Sequence, residues 1–269
     1  MLEAALAGLP SWFLIGGAAI LGATWGSFAA ALCDRWPNDK SVTKGRSHCN
    51  HCGHIIRARD LIPLLSFLVL RGRCRDCHEA IGARAIIIEI MSLLLGAVPF
   101  VLLPPGQAAA AAILGWLLLP LITLDLLHYW LPDRLTIILA MAGLAMGGIL
   151  TPDISITDQA IGAVTGYGIL ELIRRLYRAL RHREGMGAGD PKLFGALGFW
   201  FGWQALPMLM MLASGVGLIW AFGGRRKNTG LRLLPLGAYL GISAILLAWF
   251  SSTLEPFISE RLPVAGIEA

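Results

Sequence analysis

Eight apolar runs, near 11–32, 85–103, 107–126, 133–150, 157–176, 193–206, 207–222 and 234–251, limit what this chain can fold into. A helix needs about 20 mostly apolar residues to cross the hydrocarbon of a bilayer. Backbone facing lipid must also satisfy its own hydrogen bonds, which leaves helices or closed barrels. The runs read as helices, so the expected fold is all-α: a polytopic membrane bundle of about eight transmembrane helices. The runs at 193–206 and 207–222 are barely separated, and Pro207 fits either a turn or a kink in one long helix. Leu61–Leu70 is apolar but too short to span, so it is expected to pack at the membrane surface or within a soluble segment. Only 14% of the 269 residues are charged, against about 25% in soluble domains.

Charge gives the orientation. Of 22 Lys and Arg residues, ten lie between Arg35 and Arg84, one is Arg134, six run from Arg174 to Lys192 and four from Arg225 to Arg232. With eight spans these all fall on one face, and only Arg261 lies on the other. The excess of basic residues in cytoplasmic loops makes the crowded face cytoplasmic. Both termini, including the tail 252–269, are then external. A seven-span chain would put the Arg225–Arg232 cluster outside. No Lys or Arg precedes the first run, so the basic start of a secretory signal is missing and the run is expected to remain as a helix. Aromatic residues do not interleave with the arginines to stack on bases, so no nucleic-acid partner is expected. The partner implied by the basic face is membrane lipid.

Residues 35–84 form a polar insertion between the first helix (1–34) and the rest of the bundle (85–251). It holds Cys49-Asn-His-Cys52 and Cys74-Arg-Asp-Cys77. Two C-x-x-C hairpins can set four thiolates at the corners of a tetrahedron, the arrangement structural Zn²⁺ prefers. Gly53 permits the tight turn after the first pair. Four thiolates close the site, so Cys49, Cys52, Cys74 and Cys77 are expected to bind Zn²⁺ structurally and fold a segment that has little core of its own. Two redox pairs are the alternative, and His48, His51, His54 and His78 could substitute as ligands. Cys33 is expected to be a buried free thiol.

Acidic residues at membrane depth are costly and point to function. Asp125 closes the third run, and Asp190 lies in Gly185-Met-Gly-Ala-Gly-Asp-Pro-Lys192, just before the sixth. The topology puts both at the same face and similar depth. Two carboxyls that approach each other share a proton. The ionised one can activate water while the protonated one polarises a peptide carbonyl. The glycines before Asp190 let an extended substrate strand lie close. N-capping competes for Asp190, and Asp133 after Pro132 reads as a helix start. A phosphate-binding loop would need Gly-Lys-Ser/Thr after a strand, and neither is present.

With these motifs on view the chain resembles the bacterial type IV prepilin peptidases. The resemblance rests on Gly26-Ser-Phe28, Arg35-Trp-Pro37, the two cysteine pairs, Leu61-Ile-Pro-Leu-Leu-Ser66, Asp125 with Leu131-Pro-Asp133, and Gly187-Ala-Gly-Asp-Pro-Lys192. Gly-x-Gly-Asp is the signature shared with other intramembrane aspartic peptidases. The resemblance implies Asp125 and Asp190 as the catalytic pair. It implies cleavage of type IV prepilin or type II secretion pseudopilin precursors after a glycine, at the cytoplasmic face of a bacterial inner membrane. Gly187, Gly189, Lys192 and Glu89 become candidate substrate-binding residues. Similar enzymes with these cysteine pairs also methylate the new N-terminal residue with S-adenosylmethionine. Two positions depart from that pattern: Ala30 replaces the usual Asn, and Arg84-Ala-Ile replaces Arg-Tyr-Pro ahead of Glu89. Glu79, Glu89 and Glu184 are the acids that could receive a basic leader.

Rival classes explain less. A transporter using Asp125 and Asp190 leaves the cysteine insertion without a role. A metalloprotease would need His-Glu-x-x-His, which is absent. A non-catalytic assembly scaffold differs from a peptidase in cleavage.

Overall fold

The computed structural model describes residues 6, 8–42, 47–49, 51–223 and 234–259. Arg46, Asn50, the Arg225–Arg232 cluster, Arg261 and the end of the expected external tail lie outside the described residues. The described chain is helical, with only isolated bridges at His48–Ile55 and Arg73–Ala80. Eight principal helices follow in order: α1 Ser11–Arg35, α2 Ala83–Ala97, α3 Pro105–His128, α4 Asp133–Leu150, α5 Ile156–Arg181, α6 Gly189–Phe201, α7 Leu206–Gly223 and α8 Leu236–Ser259. Among the described residues, four stretches are long and apolar enough to cross a membrane: Ser11–Asn38, Ala83–Leu102, Pro105–His128 and Asp133–Leu150.

One expected run is shorter than its sequence suggests. The run 193–206 folds as α6, Gly189–Phe201, with 13 residues. Gly202 ends it at φ 70°. The break before α7 therefore falls at 202–205, and Pro207 sits in the first turn of α7 rather than at a kink. At the other end of the chain, α8 continues to Ser259, well beyond the expected 251, so the first residues assigned to a tail are helical.

α3 is the hub, packing against α1, α2, α4 and α8. Leu114, Leu118, Leu121 and Leu124 are fully buried along it. A helix apolar on every side belongs in an interior. Pro120 interrupts α3, so the carbonyl of Trp116, four residues earlier, loses its intrahelical donor. The Trp25 indole N–H from α1 donates to that carbonyl at 2.8 Å. Trp116 in turn donates its own indole N–H to Ser92 of α2 at 3.0 Å. Three helices are thus joined at one proline.

α6 is the other buried element, held between α4, α5 and α8. Leu193, Leu197 and Trp200 are fully buried, and Trp200 donates to the Leu139 carbonyl of α4 at 2.9 Å. Gly198 lies against the Gly162 backbone of α5, leaving no room for a side chain at either position. Small residues permit this approach where lipid offers no hydrophobic driving force.

The insertion leaves α1 through a short 3₁₀ turn, Trp36–Asn38, and returns at α2. Leu61–Leu70 forms part of it, including the helical turn Leu65–Val69.

Candidate active site and cysteine cluster

Asp125 lies three residues before the end of α3. Tyr129 closes that helix in the left-handed region, at φ 52°, and turns the chain toward Leu131 and α4. Asp190 is the second residue of α6. The two side chains are 5% and 7% exposed, so neither carboxyl is a solvated interfacial charge. They meet at the first turn of α8. A Cβ built on Gly237 would lie 3.1 Å from Asp125 Oδ2 and 3.2 Å from Asp190 Oδ1. The Ala238 N–H donates to Asp125 Oδ2 at 2.7 Å, and the Gly187 N–H donates to Asp190 Oδ2 at 3.2 Å. Asp190 is not an N-cap: Ala188 occupies that position, without a side-chain cap. Buried carboxyls gathered on one backbone position can hold one proton between them, as acid–base hydrolysis of a peptide requires.

The remaining expected residues are placed as follows. Gly187 and Gly189 do not adopt the left-handed region; they are small because of what approaches them. A Cβ on Gly187 would sit 3.2 Å from Asp190 Oδ2, and one on Gly189 would sit 2.6 Å from Leu131 Cβ. Lys192 Nζ pairs with Asp133 Oδ1 at 2.7 Å, and Asp133 opens α4 as its position after Pro132 suggested. Glu89, on α2, accepts the Leu64 N–H at 2.9 Å and ties the insertion to the bundle. Glu184 pairs with Arg178. Glu79 offers its backbone carbonyl to the Cys74 N–H at 2.8 Å. Cys33 is 2% exposed, and its thiol faces the Pro120 carbonyl at 3.8 Å.

The cysteine pairs form two matching turns. The Cys49 N–H donates to the His54 carbonyl, and the Gly53 N–H to the Cys49 carbonyl, both at 2.9 Å. In the second turn the His78 N–H donates to the Cys74 carbonyl at 3.1 Å. Gly53 takes φ 70°, and its counterpart His78 takes φ 57°. Cys49, Cys52, Cys74 and Cys77 have their sulfurs within 4.8 Å of one another, and Cys49 and Cys77 lie 3.9 Å apart. Tetrahedral Zn–S bonds of about 2.3 Å put sulfurs about 3.8 Å apart, so the donor set fits. Backbone N–H groups of Cys52 and His51 pull the Cys49 thiol down to about 6. Cys77 moves the other way, to about 12: the Glu79 N–H lowers it, but burial and the neighbouring thiols outweigh that.

Gly237 and Ala238 were missing from the residues picked out in the sequence. The available signal was Pro235-Leu-Gly237 at the opening of an apolar run, the pattern of a helix start. Nothing local told which acid that start would meet.

Fold and site together define a helical membrane protein with a buried carboxylate pair at the junction of three helices and a four-cysteine insertion. The chain belongs to the type IV leader peptidase family. That family's model matches residues 112–222, and the model of the bacterial peptidase A24 N-terminal domain matches 20–103. The chain is therefore a peptidase. It is 41% identical over 221 residues to a prepilin leader peptidase/N-methyltransferase of Aeromonas salmonicida, covering 81% of this chain and 76% of the relative. A protein of the same description from Burkholderia pseudomallei is 36% identical over 279 residues, covering 93% and 89%. The type 4 prepilin-like proteins leader peptide-processing enzyme of Escherichia coli O78:H11 is 36% identical over 208 residues, covering 77% of each. No solved structure matches.

Proposed function

We propose that the chain is an aspartic endopeptidase that removes the leader from type IV prepilin or type II secretion pseudopilin precursors, with Asp125 and Asp190 as its catalytic pair. The observation that carries this reading is their convergence on Gly237. One carboxylate takes a proton from water, and that water attacks the peptide carbonyl after the leader's last glycine. The other carboxyl donates a hydrogen bond to the carbonyl oxygen. Collapse of the tetrahedral intermediate passes a proton to the departing amine, releases the leader's new carboxylate and returns the shared proton to the pair. Gly187 and Gly189 keep side chains off the backbone beside Asp190, along which an extended substrate would lie. Lys192 and Glu89 would have to exchange their present partners, Asp133 and the Leu64 N–H, to reach it.

The insertion holds Zn²⁺ through Cys49, Cys52, Cys74 and Cys77, and the bound ion stabilises the fold of that segment. The basic loops lie on the cytoplasmic side of a bacterial inner membrane, as the distribution of Lys and Arg argues, and both termini lie outside. The relatives' descriptions as prepilin leader peptidase/N-methyltransferases support a second activity, methylation of the new N-terminus, with S-adenosylmethionine as the donor. Peptidase activity alone is the second reading. It is favoured by Ala30, by Arg84-Ala-Ile, and by the engagement of Glu89 with Leu64.

The test is cleavage of a prepilin precursor by purified enzyme, comparing wild type with Asp125→Asn and Asp190→Asn. Both variants are expected to insert and keep metal yet release no leader. Cleavage at wild-type rate by either would make that residue structural. A mass gain of one methyl group on the product, only when S-adenosylmethionine is supplied, separates the bifunctional reading from the simpler one.

A further inference from the structure

We propose that Gly237 and Ala238, at the start of α8, are positioning residues of the active site that fix the Asp125 carboxylate; this rests on the reading of Asp125 and Asp190 as the catalytic pair. Asp125 stands near the C-terminal end of its own helix, where backbone carbonyls accumulate negative charge and no free N–H is at hand. The start of α8 supplies what that end lacks. N–H groups in a first helical turn have no intrahelical partner, and the Ala238 N–H points at Asp125 Oδ2, 2.7 Å away. Ala238 is fully buried and Asp125 nearly so, which leaves water little access to replace the bond.

Gly237 makes the approach possible. The position its Cβ would occupy is 3.1 Å from Asp125 Oδ2, 3.2 Å from Asp190 Oδ1 and 2.6 Å from Leu131 Cδ1. Leu131 also blocks a Cβ on Gly189, beside Asp190. One leucine from the α3–α4 turn therefore spaces the starts of α6 and α8, and the two acids reach the same backbone position because no side chain stands there. Seating α8 on α3 and α6 completes the pair.

Ala238→Pro tests this directly. It deletes the N–H in a helical turn that tolerates proline. Its kcat is expected to fall about 10- to 100-fold, the effect of losing one hydrogen bond to a charged group, with KM unchanged. Ala238→Gly keeps the N–H and is expected to stay within about threefold of wild type, since the bond to the charged group survives. Amide exchange gives a second readout that does not depend on the proline variant folding. The Ala238 amide of the wild-type enzyme is expected to exchange slowly, and faster in Asp125→Ala, while Leu240 is unaffected. Full kcat in Ala238→Pro, or exchange at Ala238 indifferent to Asp125→Ala, overturns the inference. Inactive Asp125→Asn beside a fully active Ala238→Pro would leave the catalytic pair standing and remove only its positioning by α8. Cleavage by Asp125→Asn would remove both.

Discussion

The indole N–H of Trp25 on α1 donates, at 2.8 Å, to the Trp116 carbonyl of α3, which Pro120 leaves without its intrahelical donor. The bond offsets the damage a proline does inside a helix. Trp25→Phe keeps most of the ring but removes the donor, and is expected to destabilise the bundle by about 1 kcal/mol. In a Pro120→Ala background the residue-120 N–H can serve Trp116 again, so the same change should cost less. A double-mutant cycle on thermal unfolding in detergent measures this coupling, and equal costs in both backgrounds would refute it.

The insertion should depend on its metal. Purified enzyme is expected to carry about one Zn²⁺, the capacity of one four-thiolate site, and Cys74→Ser should lose it. Thiols bind metal once deprotonated, so protons compete with the ion. A folded-state pKa of about 6 at Cys49 lies below the ordinary thiol value near 8.5. Occupancy should therefore fall as the pH is lowered and protons regain the sulfurs. Metal release during acid titration checks the direction, and chelation at neutral pH should open residues 47–82 to proteolysis.

Two glycines of the α5–α6 region should respond oppositely to alanine. A methyl on Gly198 meets the Gly162 backbone, which cannot swing aside, whereas one on Gly168 meets nothing within 4 Å. Gly198→Ala is expected to destabilise by about 1–3 kcal/mol through overpacking. Gly168→Ala should stabilise by up to about 1 kcal/mol through helix propensity. Melting temperatures of the two variants provide the comparison.

Lys192 must release Asp133 to touch a substrate. The pair is half-exposed, so Lys192→Met should lower stability by no more than about 1 kcal/mol and leave KM within about threefold, since no contact to a substrate is lost. A tenfold rise in KM would assign the ammonium to substrate instead.

Much of this molecule could be read before any coordinates. The apolar runs mark the helices closely because prolines such as Pro104 and Pro132 punctuate them, and the cysteine turns are local, set by spacing and by Gly53. Counting the apolar runs as alternating spans predicts one face for Asp125 and Asp190, but their meeting at Gly237 is a property of the fold. Other features depend on distant chain. Nothing in Leu193–Leu206 distinguishes Gly202, which stops α6 early, from glycines that α6 simply contains. The bonds from Ala238 to Asp125, from Leu64 to Glu89 and from Trp25 to Trp116 each join segments with no sequence relation. Glu89 reads as a free acid until the partner that occupies it is seen.

Contacts between α1 and α2 set Ala18 against Gly96, Gly22 against Ser92 and Gly26 against Glu89. That antiparallel register runs on toward Arg35 and Ala83, so the chain departs into the insertion and rejoins the bundle at neighbouring points. Segments whose ends lie close together are the ones domain exchange tolerates. Residues 36–82 are accordingly a cassette: a short linker, or another payload, can be grafted there without rethreading any helix of the bundle.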